Sequence, residues 1–374
     1  MRRTICLILA LCCWICTILP TYADTEAKAY CVAASGSCEI LTGENTDEAY
    51  GTAGLCKLPA ILTLCSSFDR GLIQADSIVT VGKGASRIGG PTAFLKEGEQ
   101  IRAEELIRAA VMISAGDAIW ALMEHAFGSE DVFLQNIQLT LKEIRIDRDW
   151  NHAIGTNERF TCRELVMLGD AALRSETFTK YCTTKYEVLH HDDGRETQLS
   201  NANKLIGTLS GCIGLITGSS PDDGYCGIFA CTRKETTFLC VVIGSKNSKL
   251  RFETATRLLE SAFQEYTVYE ISNRNEPLIE DYPVDGGAED TIDLYTRENI
   301  SLLRKKSEGE PAQQFYLPDV LSAPLDPERS VGSVLFTDLN GSKMYELAIY
   351  PEKPVEATGY REILKRVILS YCKG

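Results

Sequence analysis

The sequence predicts an α+β protein: a mostly antiparallel sheet with a helical insert, followed by a small all-β domain. Three observations predict it. Apolar spacing is helical through most of the first half of the chain, as in "KLPAILTLC" and "TCRELVMLGDAAL". After residue 185 the period falls back toward two. From about Thr267 helical periodicity vanishes until near the C-terminus, and proline, glycine and acidic residues punctuate short alternating runs. The 374 residues suffice for two domains of ordinary size, and 44% hydrophobic content supplies ample core.

The elements follow in order. Residues 1–23 read as an export signal: Arg2 and Arg3, the apolar run "ICLILALCCWICTIL", then a small-residue cleavage site near Ala23. The run is too short for comfortable spanning of a bilayer, so an extracytoplasmic protein is expected. "AYCVAASGSCEIL" reads as a hairpin around a Gly-Ser turn. A helix follows to Phe68, then the strand "SIVTVGKGA". Residues 102–127 read as two helices broken at "SAGD", followed by "DVFLQNIQLTLKEI" and "TCRELVMLGDAAL" as helices. "KYEVLHHDDGRETQLSN" is a hairpin with an Asp-Gly turn, followed by the strands "CIGLITGSS", "YCGIFACTRK" and "TTFLCVVIGS". The helix "RFETATRLLESAFQEY" closes this region. The expected boundaries are residues 24–266 for the first domain, 267–356 for the β domain and 357–374 for a short amphipathic helix. In the β domain Asn340–Gly341 marks a hairpin turn. On the last helix Tyr360, Ile363, Leu364, Val367, Ile368 and Tyr371 share one face. That spacing serves docking on the protein itself or peripheral membrane contact equally.

Charge and cysteines narrow the class. A formal net charge of −14 argues against nucleic acid as a partner. Four of the fifteen cysteines fall in the signal, leaving eleven, an odd number that cannot pair fully. Cys226, Cys231 and Cys240 lie in apolar strand-like runs and read as small buried hydrophobes. Cys31 and Cys38 flank a turn, where a bridge requires matched register. No zinc-like spacing occurs, and neither a metal nor a cofactor is expected. His190-His191-Asp192-Asp193 reads as a solvated hairpin tip, and Glu289-Asp290 as a surface loop.

"GGPTAFLKEGEQIRAEELIRAAVMISAGDA", "ALMEHAFGSEDVF", "TGSSPDDGYCGIFACTRK" and "VVIGSKNSKLRFETATRLL" resemble the penicillin-binding D-alanyl-D-alanine carboxypeptidases, low-molecular-weight serine peptidases that trim peptidoglycan stem peptides. "PVDGGAEDTIDLYTRENISLL" looks like that family's second domain. The resemblance covers nearly the whole chain after the signal. It implies a β-lactamase/penicillin-binding-protein-like domain, with a cleft between a helical cluster and an antiparallel sheet, and then a small all-β domain.

Catalysis in that family rests on three motifs. Ser-x-x-Lys supplies the nucleophile and a lysine that tunes its proton. Here it reads "AGLCKL", with Lys57 present and Gly54 at the nucleophile position. Ser-x-Asn reads "SAG", with Ser114 kept and Gly116 replacing the asparagine, while Asp117 and Ala118 continue the family pattern. Lys-Thr-Gly reads Ile216-Thr217-Gly218, so the cation that would face the substrate carboxylate is gone. Ile213 stands where the family tends to carry aspartate. Three separate losses, to Gly, Gly and Ile, read as decay or repurposing. Removing a serine-hydrolase nucleophile alone costs roughly a million-fold.

Cys56 is the obvious substitute nucleophile. It lies roughly 200° around a helix from Gly54 and reads as a structural cysteine. Thr52 has no evident base. Pro59 lacks the N–H that would bond back to Leu55, which shifts or kinks the helix start and puts the Gly54–Lys57 geometry in question. Lys57 reads either as a relic held by Ser114 or as a binding lysine, and Ser114 as a possible N-cap of the following helix. Arg251 is a cation that sequence alone cannot place. Three functions remain: an inactive homologue that binds or scaffolds at the cell wall, with stem peptides or cell-wall proteins as partners; an active divergent hydrolase; and a purely structural interaction protein.

Overall fold

The computed structural model describes residues 27–155 and 158–359. The expected export signal and most of the expected C-terminal helix lie outside the described residues. Two compact units divide the chain, with the main break at Glu260/Ser261.

The first unit is built on a five-stranded sheet. Its strand order is Ile40–Glu44, Ala29–Ala34, Thr236–Ser245, Gly224–Arg233, Cys212–Ser220. The three inner strands are near-continuous apolar runs because both faces are covered, and every residue of Ala29–Ala34 is buried. The last strand, Cys212–Ser220, is an edge. Register along it pairs Ile216 with Ile228 and Gly218 with Cys226, and then slips between Ala230 and Cys231. At that slip Gly214 and Leu215 take positive φ angles of 98° and 97°. Positive φ is unremarkable for glycine and costly for leucine, so the strand that edges the cleft is strained at its root.

Helices cover both faces of this sheet: Cys162–Arg174 brings Gly169 against Ile228 and Leu239 on one, and Ser248–Glu265 brings Phe252 against Phe229 on the other. Leu58–Asp69 is buried nearly all round, with Leu58, Ile61 and Leu64 fully enclosed. Its Thr63 hydroxyl is spent on the Pro59 carbonyl, so burial leaves it satisfied. Ala103–Ile113 and Gly116–Phe127 are separated where the sequence breaks at "SAGD". Glu130–Glu143 starts on the Ser129 cap, and Cys162–Arg174 on a reciprocal Thr161/Glu164 capping box. A short helix, Glu176–Cys182, went unread because seven residues are too few to display a period. The helix Ser248–Glu265 follows the sheet's last strand in sequence.

The second unit is all β among its described residues from Tyr266 onward. Tyr266–Ser272 pairs with Ile300–Lys305, and a six-stranded sheet contains Gly332–Thr337 and Lys343–Pro351 joined through Asn340–Gly341. Asp338 holds that turn by accepting from Asn340 N and Ser342 N at 2.9 and 2.7 Å. Leu294, Val334, Phe336 and Ile349 form the centre of its core. The fold is thus the α+β arrangement the periodicities predict.

Three local expectations need correction. The His190–Asp193 tip is only half solvated: His190 is exposed, but the His191 side chain is fully buried. His191 Nδ1 meets Glu99 and its Nε2 lies 2.8 Å from Thr197 Oγ1. Arg195 also reaches Glu99, at 3.0 Å. The Asp-Gly turn folds this histidine back under the hairpin. Ser114 is not an N-cap. It ends the preceding helix in the left-handed region at φ 54°, and Ala115 occupies the N-cap position without a side-chain bond. Cys31 faces Gly43 across the hairpin rather than Cys38, so the register expected for that bridge is absent.

Candidate functional site

The candidate site is a cleft of about 310 Å³. One wall is the strand segment Leu215–Ser219, another is Met112–Ser114, and Ser200–Ala202 and Pro91 complete it. Gly54 and Arg251 reach it from below and behind the strand.

Its floor is a tight turn. Residues Ala53–Lys57 form a 3₁₀ helix, and the α-helix begins only at Leu58. Pro59 sits in the first turn, where its missing N–H has no partner to lose. The expected shift of the helix start is therefore real, yet it does not eject Lys57 from the site. Ala53 adopts a positive φ of 50°, and its N–H donates to Asp223 Oδ2 at 3.0 Å. Asp223 also takes the Ser220 hydroxyl at 3.0 Å, so one carboxylate ties the turn to the end of the cleft strand. Gly51 makes room for it: a Cβ there would fall 1.9 Å from Asp223 Oδ1. Sequence reading missed Asp223 because "SSPDDG" looks like any polar turn.

The three glycines of the cleft differ in what they permit. Gly218 is obligatory, since a Cβ would sit 2.5 Å from Gly54 N. Gly54 is not: a Cβ there meets only Gly218 Cα, at an ordinary 3.6 Å. Its backbone φ lies outside the glycine-favouring region. A side chain at Gly54 would therefore enter open space. Gly116 is closed, because a Cβ there would approach Ile88 Cγ2 to 2.6 Å and Lys57 Nζ to 3.3 Å. Ile88 fills the place an asparagine side chain would enter.

Lys57 is buried, and its ammonium donates to the Ser114 carbonyl at 2.8 Å. Burial pulls its pKa below the ordinary lysine value, against weaker opposing pulls from Cys56 and Asp117. The Lys57–Ser114 pair expected from sequence is thus together, through the Ser114 backbone. Asp117 sits next to Gly116 and is buried. Its carboxylate accepts from Ala93 N at 2.8 Å, Leu95 N at 3.1 Å and Ala118 N at 2.9 Å, pinning the Pro91–Leu95 loop to the helix start.

Ile216 is buried and belongs to the apolar core, while Thr217 remains partly exposed on the cleft strand. Arg251 is the cation at hand. Its Nη1 donates to the carbonyls of Gly218 and Cys226 at 3.1 and 3.0 Å, and its guanidinium lies 4.5 Å from the Phe252 ring centroid. Burial lowers its pKa to about 10, so it stays charged at neutral pH. The alternative nucleophiles fare poorly. The Cys56 thiol donates to the Ala53 carbonyl at 2.8 Å, and burial raises its pKa to about 11. The Thr52 hydroxyl is buried with no hydrogen-bond partner. No group of three or more metal-ligating side chains gathers among the described residues.

A helical cluster against an antiparallel sheet, with this turn, loop and strand meeting at one cleft, is the fold of the penicillin-binding carboxypeptidases. A family model for D-alanyl-D-alanine carboxypeptidase matches residues 17–247, and one for the C-terminal domain of penicillin-binding protein 5 matches residues 266–357. The chain belongs to the D-alanyl-D-alanine carboxypeptidase family. It is 25% identical over 354 residues to D-alanyl-D-alanine carboxypeptidase DacF of Bacillus subtilis, covering 93% of this chain and 90% of that one. Against DacC of Escherichia coli it is 24% identical over 351 residues, with 90% and 86% covered. Among solved structures, penicillin binding protein 5 from Haemophilus influenzae superposes with a TM-score of 0.69 at 20% identity, covering 88% of this chain and 98% of that one. Penicillin binding protein 6B from Escherichia coli gives 0.68 at 22% identity, with 89% and 95% covered. No described helix is long and apolar enough to cross a membrane.

Proposed function

We propose that this chain is an exported, catalytically inactive homologue of the serine D-Ala-D-Ala carboxypeptidases, with a binding or scaffolding role at the cell wall. Residues 1–23 would leave on export, residues 24–266 carry the cleft, and residues 267–356 form a separate β unit. The observation that carries this reading is the open space at Gly54. The turn, the neighbouring lysine and the facing glycine are in place, and no nucleophilic oxygen stands between them. A serine hydrolase without its serine retains roughly 10³–10⁴ over water from its oxyanion and binding groups. Here Gly116 and Ile216 remove binding groups as well.

Binding is supported by what remains. Thr217 offers a hydroxyl on the cleft strand, Gly218 lets the Gly54 turn close against that strand, and Arg251 supplies positive charge beside it. A peptide ending in a carboxylate, such as a stem peptide, fits that chemistry. The test is the intact mass of the purified protein after incubation with excess penicillin, beside an active carboxypeptidase as control. No adduct is expected. A stable adduct abolished by Cys56→Ala would establish a working nucleophile and end the inactive reading. Titration with an acyl-D-Ala-D-Ala peptide then separates a binding protein from a purely structural one, which would show no saturable signal.

A further inference from the structure

Ten described cysteines carry free thiols, and two of them face each other across the sheet. Cys212 opens the cleft strand, and Cys231 stands directly opposite it on Gly224–Arg233. The hydrogen bonds around them define the kind of pair. Thr232 N donates to Gly211 O at 2.8 Å, so the bond joins the residues flanking the two cysteines. That is the pattern of a non-hydrogen-bonded antiparallel pair, in which Cα atoms approach to about 4.5 Å and side chains lie closest. A disulfide needs Cα atoms roughly 4.4–6.8 Å apart with side chains on the same side, the arrangement that a directly opposed non-hydrogen-bonded pair supplies. Cys31, the cysteine expected to bridge a hairpin, instead faces Gly43.

Exposure and chemistry favour the same two residues. Cys231 is buried, whereas Cys212 is partly accessible and can meet an oxidant first. A hydrogen bond from the Cys231 thiol lowers the Cys212 pKa, raising its thiolate fraction. The neighbouring Cys182 thiol is engaged with the Ile213 carbonyl at 3.4 Å.

We propose that Cys212 and Cys231 form a disulfide in an oxidising compartment and staple the root of the cleft strand. The oxidant is a small-molecule or protein disulfide. The Cys212 thiolate attacks one of its sulfurs and expels a thiolate. Cys231, losing its proton, then attacks the mixed disulfide at Cys212 and expels the second. Two electrons pass to the oxidant, which leaves as two thiols. The bridge closes the chain around the whole cleft strand and its return. It spans the slip where Gly214 and Leu215 carry positive φ, two residues or fewer before Ile216. The oxidised protein would hold the Ile216–Gly218 segment more rigidly than the reduced one. The staple rests on the exported reading for its setting, but not for its geometry.

The experiment uses the full purified chain, reduced and then equilibrated with glutathione disulfide, blocked with N-ethylmaleimide and mapped by non-reducing peptide mass spectrometry. The expected result is one linked peptide pair joining Cys212 to Cys231, absent after reduction. Its melting temperature should exceed that of the reduced form by roughly 5–10 °C, and Cys212→Ser should abolish that difference. Both cysteines recovered with the maleimide label, or Cys212 linked to another cysteine such as Cys182, would overturn the proposal. If Cys212→Ser fails to fold, the map of the unaltered chain decides alone. A bridge formed in vitro but absent from protein isolated from its native cells would uphold the pairing and remove the export reading instead.

Discussion

Restoring the missing side chain is the sharpest perturbation, because the structure assigns each part of its effect a size. In Gly54→Ser the new Cβ meets Gly218 Cα at 3.6 Å, an ordinary contact, on a backbone that any L-residue adopts. Replacing glycine at such a position narrows the unfolded ensemble and stabilises by about 0.4–1 kcal/mol, a rise in Tm of roughly 1–4 °C for a chain of this size. The hydroxyl would also enter a site with Lys57 close by. A nucleophile is worth roughly 10⁶, while each lost binding or oxyanion group costs about 10²–10³. With Gly116 and Ile216 unchanged, the restored serine should acylate roughly 10⁴–10⁶-fold more slowly than a site in which all three motifs are intact. The assay is the rate of penicilloyl adduct formation by intact mass, with Tm by calorimetry on the same samples. A slow adduct on the variant and none on the native chain is expected. An equal rate on both would refute the assignment of Gly54 as the vacant nucleophile position. A fall in Tm of more than about 4 °C would refute the open space.

The other losses give contrasting outcomes. Gly116→Asn should cost about 1–3 kcal/mol in chemical denaturation, the range for overpacking, because its Cβ meets Ile88 Cγ2 at 2.6 Å. Ile88→Ala in the same chain should recover part of that cost, and strict additivity of the two changes would argue against the clash. Arg251→Met should cost about 1–3 kcal/mol by leaving the Gly218 and Cys226 carbonyls short of a donor; an unchanged denaturation midpoint would refute its bracing role. Burial holds the Lys57 pKa below 10.5, so between the two values the unfolded chain binds more protons than the folded one. Stability should therefore rise with pH across that window, and Lys57→Met should flatten the rise; identical slopes in the two proteins would contradict the burial. The Cys56 pKa of about 11 predicts that native protein at pH 8 resists iodoacetamide at this thiol, and rapid labelling there would reopen it as a nucleophile.

Much of this protein was determined by sequence alone. Helical and alternating periods report which face of an element is apolar, and those faces set the sheet, the helical cluster and the β unit. The break at "SAGD" and the Asp-Gly and Asn-Gly turns mark element ends by local chemistry, so they too were legible, whereas the cap expected at Ser114 was not there. The three altered motifs could be read because residue type alone says that Gly54 carries no hydroxyl and Ile216 no charge. Tertiary structure decided what each loss means. Gly54 and Gly116 are the same letter, yet one faces open space and the other faces Ile88, which lies 28 residues away in the chain. Arg251 became a cleft residue, and Asp223 the tether of the Ala53 turn, only once distant segments met. His191 looked solvated because its neighbours are polar, but the hairpin folds it onto Glu99. The facing of Cys212 and Cys231 depends on a register slip that no local pattern announces. Local preferences act over a few residues, whereas steric vacancy, ion placement and strand register arise from contacts between segments far apart in the chain.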